Sequence, residues 1–341
     1  MGKVGMKDLA LRLNLSTATI SKALRDSYDI GAETKERVLA LAKELNYSPN
    51  PHASYLRRKQ SNTIAIVVPD VADSFFAQMI NGAEEIALNE GFDVMIYLSH
   101  ENPEREQSIL AQLANGRVDG VLISVAGNYE DGRHFENLKE VGVSLVFFDR
   151  ILNDTGDGSV VTNDFEASRQ LTSHLIKNGC KQIAFLYSSS VLSINVQRAA
   201  GYRQAHEDVL LTVEPDQFIL CNGTEQFNLE QIKNCLKRAN SPDAFIASGE
   251  DLILPVYQAC TELGIQIPDQ VKVAAFSNAK HAAILSPAVT TITQPAFEMG
   301  QAAAGLLIKI LKGRPLFDDE KTITLSSRLD IRASSLDTGK L

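Results

Sequence analysis

Residues 6–24 read MKDLALRLNLSTATISKAL, and the spacing of apolar residues in this stretch defines the fold of the amino-terminal part of the chain. The helical spacing predicts one helix over Met6–Leu13, a tight turn, and a second helix over residues 17–25. Ser16 lies directly before the second helix, where a hydroxyl caps the free N–H groups of the first turn. Two short helices joined by a three-residue turn can present the second helix to a DNA major groove.

The two faces of the second predicted helix differ in character. We expect Ile20, Ala23 and Leu24 to pack on a small apolar core shared with a third helix over residues 32–45. Small or basic residues on the outward face suit close approach to base edges and phosphates. These outward residues are Thr17, Ala18, Ser21, Lys22 and Arg25. A three-helix bundle with a merely solvated polar face fits the helical pattern equally well.

The distribution of charge favours the DNA interpretation. The chain holds 33 Lys and Arg and 42 Asp and Glu. Of these, 11 basic and 6 acidic residues lie in residues 1–60, which leaves 22 and 36 for residues 61–341 and gives net charges of +5 and −14. A basic segment attracts a polyanion, and an acidic one is repelled by it. Nucleic-acid binding is therefore expected in the amino-terminal part alone.

Residues 49–61 have the composition of a linker that contains a short helix. Asn50 and Pro51 form a capping residue followed by proline at the first helical position. In the DNA interpretation, Leu56 is an apolar wedge for the minor groove. Three cations follow it and could contact phosphates, namely Arg57, Arg58 and Lys59. The alternative is a frayed linker whose leucine rests on the rest of the chain.

From Thr63 onward, short apolar runs alternate with helical stretches. The runs that predict strands lie at residues 64–69, 93–98, 120–124, 144–149, 182–187, 217–221, 244–248, 271–276 and 290–294. Near-continuous apolar strands alternating with helices indicate buried parallel sheets with helices on both faces. Nine strands would make one very wide sheet, so two α/β lobes are expected.

Several other classes of protein lack their signatures in this sequence. No secretory signal and no apolar run of membrane-spanning length is evident, so we expect a cytoplasmic protein without membrane association. The four cysteines are widely spaced, which is typical of buried thiols in a reducing compartment. No HExxH, GxSxG or P-loop motif occurs, so no catalytic, metal or cofactor site is expected. An exported solute-binding protein and an enzyme are the rival interpretations.

Motifs in a fixed order run along the whole chain. The first helices continue into ETKERVLALAKELNYSPNPHASYLRRKQSNTIAIVVPD at residues 33–70. Further motifs are Ser74-Phe75-Phe76 with Gly82, VDGVLIS, Phe148-Asp149-Arg150, NDFEASRQLTSHLIKNGCKQIAFL, QRAAGY at residues 197–202, and TTITQP. Together they resemble the lactose-repressor-type (LacI/GalR) family of transcriptional regulators.

The resemblance implies a multi-domain protein. An all-α helix-turn-helix head (residues 1–48) and a hinge helix (49–61) would precede a body (62–341) of the type I periplasmic-binding-protein-like α/β fold. The body would have two doubly wound lobes, with residues 62–161 and 293–325 in the N-terminal lobe and residues 162–291 and 326–341 in the C-terminal lobe. A small-molecule effector, a sugar or sugar derivative, would bind between the lobes and control operator affinity allosterically, as in a repressor.

The resemblance also implies partners and contact residues. The carboxyl-terminal segment has no leucine heptad, so a tetramerising coiled coil is not expected. We expect a homodimer through the lobes, since one small head contacts too little DNA, and a twofold dimer would read a palindromic operator in double-stranded DNA. The implied base contacts are Thr17, Ala18 and Lys22. Phosphate contacts, or support of the second helix, are implied for Ser16, Ser21, Arg25 and Thr34. In the hinge, Leu56 would be the wedge, with Ala53 beside it.

For the effector, the matching positions are Phe75, Asp149, Arg150 and Arg198. The alternatives are a core position at a helix start for Phe75 and an interlobe ion pair for Arg198. Two departures add Glu250 and Ser277, which stand where the family pattern has carboxylates that chelate sugar hydroxyls. These departures put an ordinary hexose site in doubt and leave open a larger, charged or modified sugar, or a site that has drifted.

Overall fold

A computed structural model describes residues 5–45, 47, 61–127, 132–152 and 155–336. The chain forms two compact units, residues 1–61 and residues 62–341, here named the head and the body. Most of the predicted hinge, including Ala53, Leu56 and the cations that follow, lies outside the described residues.

The head contains three helices around one small core. Its helices are α1 (Met6–Leu13), α2 (Thr17–Ala23) and α3 (Ala32–Glu44). Leu9, Ile20 and Val38, one from each helix, have no exposed surface. The turn between α1 and α2 begins at Asn14, whose φ of 53° is left-handed and reverses the chain sharply. The predicted helix-turn-helix is therefore present.

The N-terminal lobe of the body is a parallel sheet with helices on both faces. Its strands are β1 (Thr63–Val68), β2 (Asp93–Leu98), β3 (Gly120–Ile123), β4 (Ser144–Phe148), β5 (Gly158–Thr162) and β11 (Thr322–Leu325), in the order β11-β5-β4-β3-β1-β2. Helices α4 (Ser74–Asn89) and α11 (Ala296–Leu311) cover one face. The other face is covered by α5 (Pro103–Leu113) and α6 (Arg133–Glu140).

The C-terminal lobe repeats this arrangement. Its strands are β6 (Ile183–Tyr187), β7 (Phe218–Leu220), β8 (Ala244–Ala247), β9 (Lys272–Phe276), β10 (Thr290–Thr293) and β12 (Arg328–Asp330), in the order β12-β10-β9-β8-β6-β7. Only β12 is antiparallel to its neighbour. Helices α7 (Asp164–Lys177) and α8 (Ser193–Glu207) pack on one face, and α9 (Glu225–Leu236) and α10 (Ile253–Leu263) on the other.

The chain crosses between the lobes after β5, after β10 and after β11. Hydrogen bonds tie these crossings together. The Gln294 side chain donates to Thr162 Oγ1 over 3.2 Å, and the Ser327 amide donates to Asn163 Oδ1 over 2.7 Å. The predicted fold class, a helix-turn-helix head with a two-lobed α/β body, is confirmed.

Two features of the sheets differ from the sequence expectation. Apolar runs in the sequence do not predict strands β5, β11 and β12. These strands are short and half-exposed, or they carry polar residues between apolar ones. Strand β2 was expected to be buried, but it lies at the sheet edge. Its Met95 and Ile96 are therefore 42 % and 48 % exposed.

Candidate functional site

Helix α2 presents a polar face to solvent. Its cap is Ser16, whose Oγ accepts a hydrogen bond from the Thr19 amide over 3.0 Å. The exposed residues at and along this helix form what we name the reading face, which consists of Ser16, Thr17, Ala18, Lys22 and Arg25. Thr34, also expected at the DNA, is half-buried in the first turn of α3.

Ser21 does not belong to this face, and the expectation that it points outward is wrong. It lies about 100° around the helix from the buried Ile20, at the border of the core, and is only 5 % exposed. Arg25, one turn later, folds over it: the Arg25 Nε donates to the Ser21 carbonyl over 2.9 Å and Nη2 donates to Ser21 Oγ over 3.2 Å. Ser21 therefore orients Arg25 instead of reaching outward.

The lysine of the reading face has an acidic neighbour. Lys22 Nζ forms an ion pair with Asp29, and both side chains are partly exposed. The Lys22 ammonium lowers the pKa of Asp29. The lysine can exchange this carboxylate for a phosphate or a base edge, because surface pairs are weakly held.

A cleft of about 760 Å³ lies between the two lobes of the body. The six residues expected at the effector all line it: Phe75, Asp149, Arg150, Arg198, Glu250 and Ser277. Four of them directly follow strands β4, β8 and β9 or stand within three residues of their ends. Ligands of open α/β sheets bind at these carboxyl ends, and the volume is that of a small-molecule site.

Arg198 is held within its own lobe. Its Nε donates to Asp164 Oδ1 over 2.6 Å, and its Nη1 donates to the Ser248 carbonyl over 2.5 Å. The guanidinium lies 4.0 Å from the centre of the Phe276 ring. With 3 % exposure, this ion pair is buried in the C-terminal lobe and does not join the lobes.

The Arg150 guanidinium has one of its nitrogens hydrogen-bonded and another without an acceptor in the part of the chain that the structure describes. Its Nη1 donates to Glu101 Oε2 over 2.6 Å. Its Nε is 3.8 Å from Asp149 Oδ2 and has no hydrogen-bond acceptor among the described residues, although the residue is only 9 % exposed. A buried donor without an acceptor is costly, which makes it a candidate for a ligand contact.

Three carboxyl groups of the cleft are hard to ionise. Burial raises the pKa of Asp149 to about 6, against the opposing effect of Arg150 and Arg198. Burial and the charge of Glu250 raise the pKa of Asp73 to about 6. Burial also raises the pKa of Asp251.

Side chains join the lobes across the cleft. Glu250 Oε1 accepts the Ser74 amide hydrogen at 2.8 Å, so a carboxylate of the C-terminal lobe binds the amino-terminal end of α4. Ser277 Oγ donates to the other oxygen of Glu250 over 3.3 Å. Gln78 and Asn278 exchange hydrogen bonds of 3.2 and 3.3 Å.

Comparison with known proteins agrees with this arrangement. Residues 5–50 match the family described as bacterial regulatory proteins, lacI family, and residues 172–335 match the periplasmic binding protein-like domain. The chain belongs to the lacI family of bacterial regulatory proteins. Its relatives in this family are DNA-binding transcriptional regulators and not enzymes.

One similar lacI-family protein is the catabolite control protein A of Priestia megaterium. It is 26 % identical over 334 residues, which cover 97 % of this chain and 99 % of the relative. Among solved structures, the Lac repressor dimer bound to operator and the anti-inducer ONPF has a TM-score of 0.85 at 22 % identity and covers 98 % of this chain and 100 % of its own. The complex of the transcriptional regulator CelR with cellobiose has a TM-score of 0.73 at 24 % identity, with coverages of 97 % and 99 %. At these identities the two structures show a shared fold.

Sequence reasoning did not find several cleft residues of this lacI-family regulator. Asp73 could have been found, because an aspartate directly before a predicted helix is a typical cap; its Oδ1 accepts the Phe75 amide hydrogen at 2.7 Å. Asp251 directly follows Glu250, which the sequence already placed at the end of β8. Glu101 carries no such signal, since it reaches the cleft only through the tertiary fold.

Within the described part of the chain, no group of three or more His, Cys, Asp and Glu residues is arranged to hold a metal ion. None of the helices described is both long enough and apolar enough to cross a membrane.

Proposed function

We propose that this lacI-family regulator is a cytoplasmic repressor that binds a palindromic operator as a homodimer and loses or gains operator affinity when a saccharide effector occupies the cleft. The observation that carries the proposal is the combination, in one chain, of an exposed reading face and an interlobe cleft lined by polar groups from both lobes. A solute-binding protein needs only the second of these features.

In the head, Thr17, Ala18 and Lys22 would contact bases. Small side chains at the start of the helix allow it to approach the major groove closely. Arg25 would bind a phosphate, oriented by Ser21, while Ser16 and Thr34 would support the helix. The similar Lac repressor dimer was solved on its operator, which supports the same use of this head.

In the body, the effector would lie between Phe75 of one lobe and Arg198 of the other. The similar CelR was solved with cellobiose, which supports a saccharide. Glu250 and Ser277 would couple ligand binding to the relative position of the lobes, because the carboxylate of Glu250 also accepts a hydrogen bond from the Ser74 amide across the cleft. A ligand that competes for this carboxylate, or completes its surroundings, favours one lobe arrangement over the other. Effector and operator affinities are then coupled reciprocally.

A dimer is supported by apolar side chains that the single chain leaves exposed. In the N-terminal lobe these include Met95 and Ile96 of the edge strand β2, and in the C-terminal lobe Ile284 is 83 % exposed. A twofold dimer would place two reading faces on two half-sites, which makes the operator palindromic. Sedimentation velocity of the full chain tests the dimer directly.

The test of the function is a selection of genomic fragments followed by fluorescence anisotropy on the selected DNA. We expect a fragment preferred by a factor of at least about 10³ over bulk competitor, with an affinity that falls steeply as salt rises. Small-molecule cell extract should change this affinity. The absence of preference for any fragment, with and without extract, would reject the proposal. Lys237→Ala removes an exposed lysine of the body and should leave the DNA affinity unchanged, which controls for a general effect of positive charge.

A further inference from the structure

The charges that line the cleft are strongly unbalanced. Within the described part of the chain, six carboxylates line it, from Asp70, Asp73, Glu101, Asp149, Glu250 and Asp251. Against them stand two guanidinium groups, those of Arg150 and Arg198, and one imidazole, that of His281. The cleft therefore has a marked excess of negative charge, although Ser277 stands where the family pattern has a carboxylate.

The two arginines do not offset this excess, because both already hold carboxylates. Arg198 pairs with Asp164, and Arg150 pairs with Glu101 and lies near Asp149. Among the described residues, no cation lies within ion-pair distance of Asp73, Glu250 or Asp251. To reach a counter-charge, an anionic ligand would have to displace Asp164 from the buried Arg198 pair, which is strongly unfavourable, or displace the half-exposed Glu101 from Arg150 in the field of the remaining carboxylates.

The three carboxylates without a cation act on one another through the cleft. Asp73 is within the field of Glu250 and of Asp149. Asp251 is within the field of Glu101 and Glu250, which Arg150 opposes in part. Burial is the main cause of the raised pKa values of Asp73 and Asp251, and the neighbouring carboxylates add to it. A cation placed among them relieves both their mutual repulsion and their poor solvation.

A second observation concerns a hydrogen-bond donor in the cleft wall that lacks an acceptor within the described part of the chain. The Nε of Arg150 is buried, donates to no acceptor in the described structure, and belongs to a residue of the cleft wall. It needs a lone pair, which a hydroxyl or ring oxygen supplies without adding negative charge. The aromatic rings of Phe75 and Phe76 line the same wall and offer an apolar surface to a sugar ring.

We infer that the effector is a saccharide that bears an amine, with its ammonium group among Asp73, Glu250 and Asp251 and one of its oxygens accepting from Arg150 Nε. The inference rests on the proposed function and specifies the chemical class of its ligand. An ammonium group provides three donors for the carboxylates, whereas the excess of negative charge disfavours sugar acids and sugar phosphates. A neutral sugar could use the same acceptors but leaves the charge uncompensated.

The experiment is isothermal titration calorimetry of the full chain at pH 7 with matched sugars. Each set contains a neutral sugar, its amine and its acid: glucose, glucosamine and glucuronate; galactose, galactosamine and galacturonate. Cellobiose is compared with the disaccharide of two glucosamine units. In the set that binds, the amine should bind at least about tenfold more tightly than the neutral sugar, which corresponds to about 1.4 kcal/mol, and the acid should not bind.

Asp73→Asn tests the assigned carboxylate. Asparagine also caps helices, so α4 keeps its amino-terminal cap while the charge is lost. The amine should lose about tenfold in affinity and the neutral sugar should be unaffected. Glu84→Gln is the matched control, because Glu84 is an exposed carboxylate on α4 that does not line the cleft.

The inference is overturned if the neutral sugar or the acid binds as tightly as the amine, if Asp73→Asn weakens all sugars equally, or if no amine binds. The proposed function is tested separately: it fails if the DNA selection finds no preferred fragment with or without extract. If a neutral sugar binds and alters operator affinity, the proposed function holds and only the inference that the effector bears an amine is rejected.

Discussion

The reading face of the head and the cleft of the body both depend on cations, but they hold them differently. Lys22 is exposed and pairs with Asp29 at the surface, whereas Arg198 is buried and holds Asp164 at 2.6 Å. A surface pair is worth little and can exchange its partner. A buried pair cannot lose one member without leaving an uncompensated charge. The head can therefore transfer its cation to DNA, while the cleft uses its arginines to fix its own walls.

The largest expected effect compares two arginine–aspartate pairs between the same helices, α7 and α8. Arg198→Ala should destabilise the body by about 3–5 kcal/mol, because Asp164 is left buried and unpaired. Arg169→Ala breaks the Arg169–Asp208 pair at the surface and should leave the free energy of unfolding nearly unchanged, because exposed ion pairs contribute little. Urea unfolding of both variants measures the difference.

Arg198→Lys restores the positive charge and should recover part of the loss. Equal destabilisation by Arg198→Ala and Arg169→Ala would show that burial does not distinguish the pairs, and the contrast between head and cleft would lose its basis.

The next largest effect is expected at the reading face. Lys22→Ala should weaken operator binding by about 1–3 kcal/mol, as measured by fluorescence anisotropy. Asp29→Asn should do the opposite and strengthen binding several-fold, since Lys22 no longer has to leave a carboxylate. If Asp29→Asn weakened binding, the Lys22–Asp29 pair would be required for the structure of the head, and Lys22 would not be a cation that can move to DNA.

The sequence predicted the head better than the cleft, and the reason is the range of the interactions. The faces of α2 follow from helical spacing, and only Ser21 was misassigned, because its burial depends on how Arg25 folds over it. The cleft depends on pairs far apart in the chain: Arg150 and Glu101 are 49 residues apart, and Ser74 and Glu250 are 176 apart. No local pattern reports such pairs. The motifs placed the residues in the cleft region but could not show that its arginines are already paired.

Glu250 tests the contact between the lobes. Glu250→Ala removes the acceptor of the Ser74 amide and should shift the lobe equilibrium by about 1.5 kcal/mol, the typical value for a hydrogen bond to a charged group. We expect a larger radius of gyration of the unliganded chain in small-angle X-ray scattering. Glu84→Ala, an exposed glutamate on α4, is the control and should leave the scattering unchanged.

The pH dependence of stability should also change. The pKa of Asp73 is raised to about 6 in the folded chain by burial and by Glu250, with Asp149 adding to the shift. A carboxyl group whose pKa is higher in the folded chain than in the unfolded one stabilises the fold most when protonated, and this stability is lost as the pH rises through about 6. Asp73→Asn has no such charge to lose, yet it keeps the helix cap. At pH 7 it should therefore exceed the native chain in unfolding free energy, and near pH 4 the difference should become small. Thermal unfolding between pH 4 and pH 8 measures this difference, and a native chain more stable than Asp73→Asn at pH 7 would mean that the carboxylate is better solvated than its burial indicates.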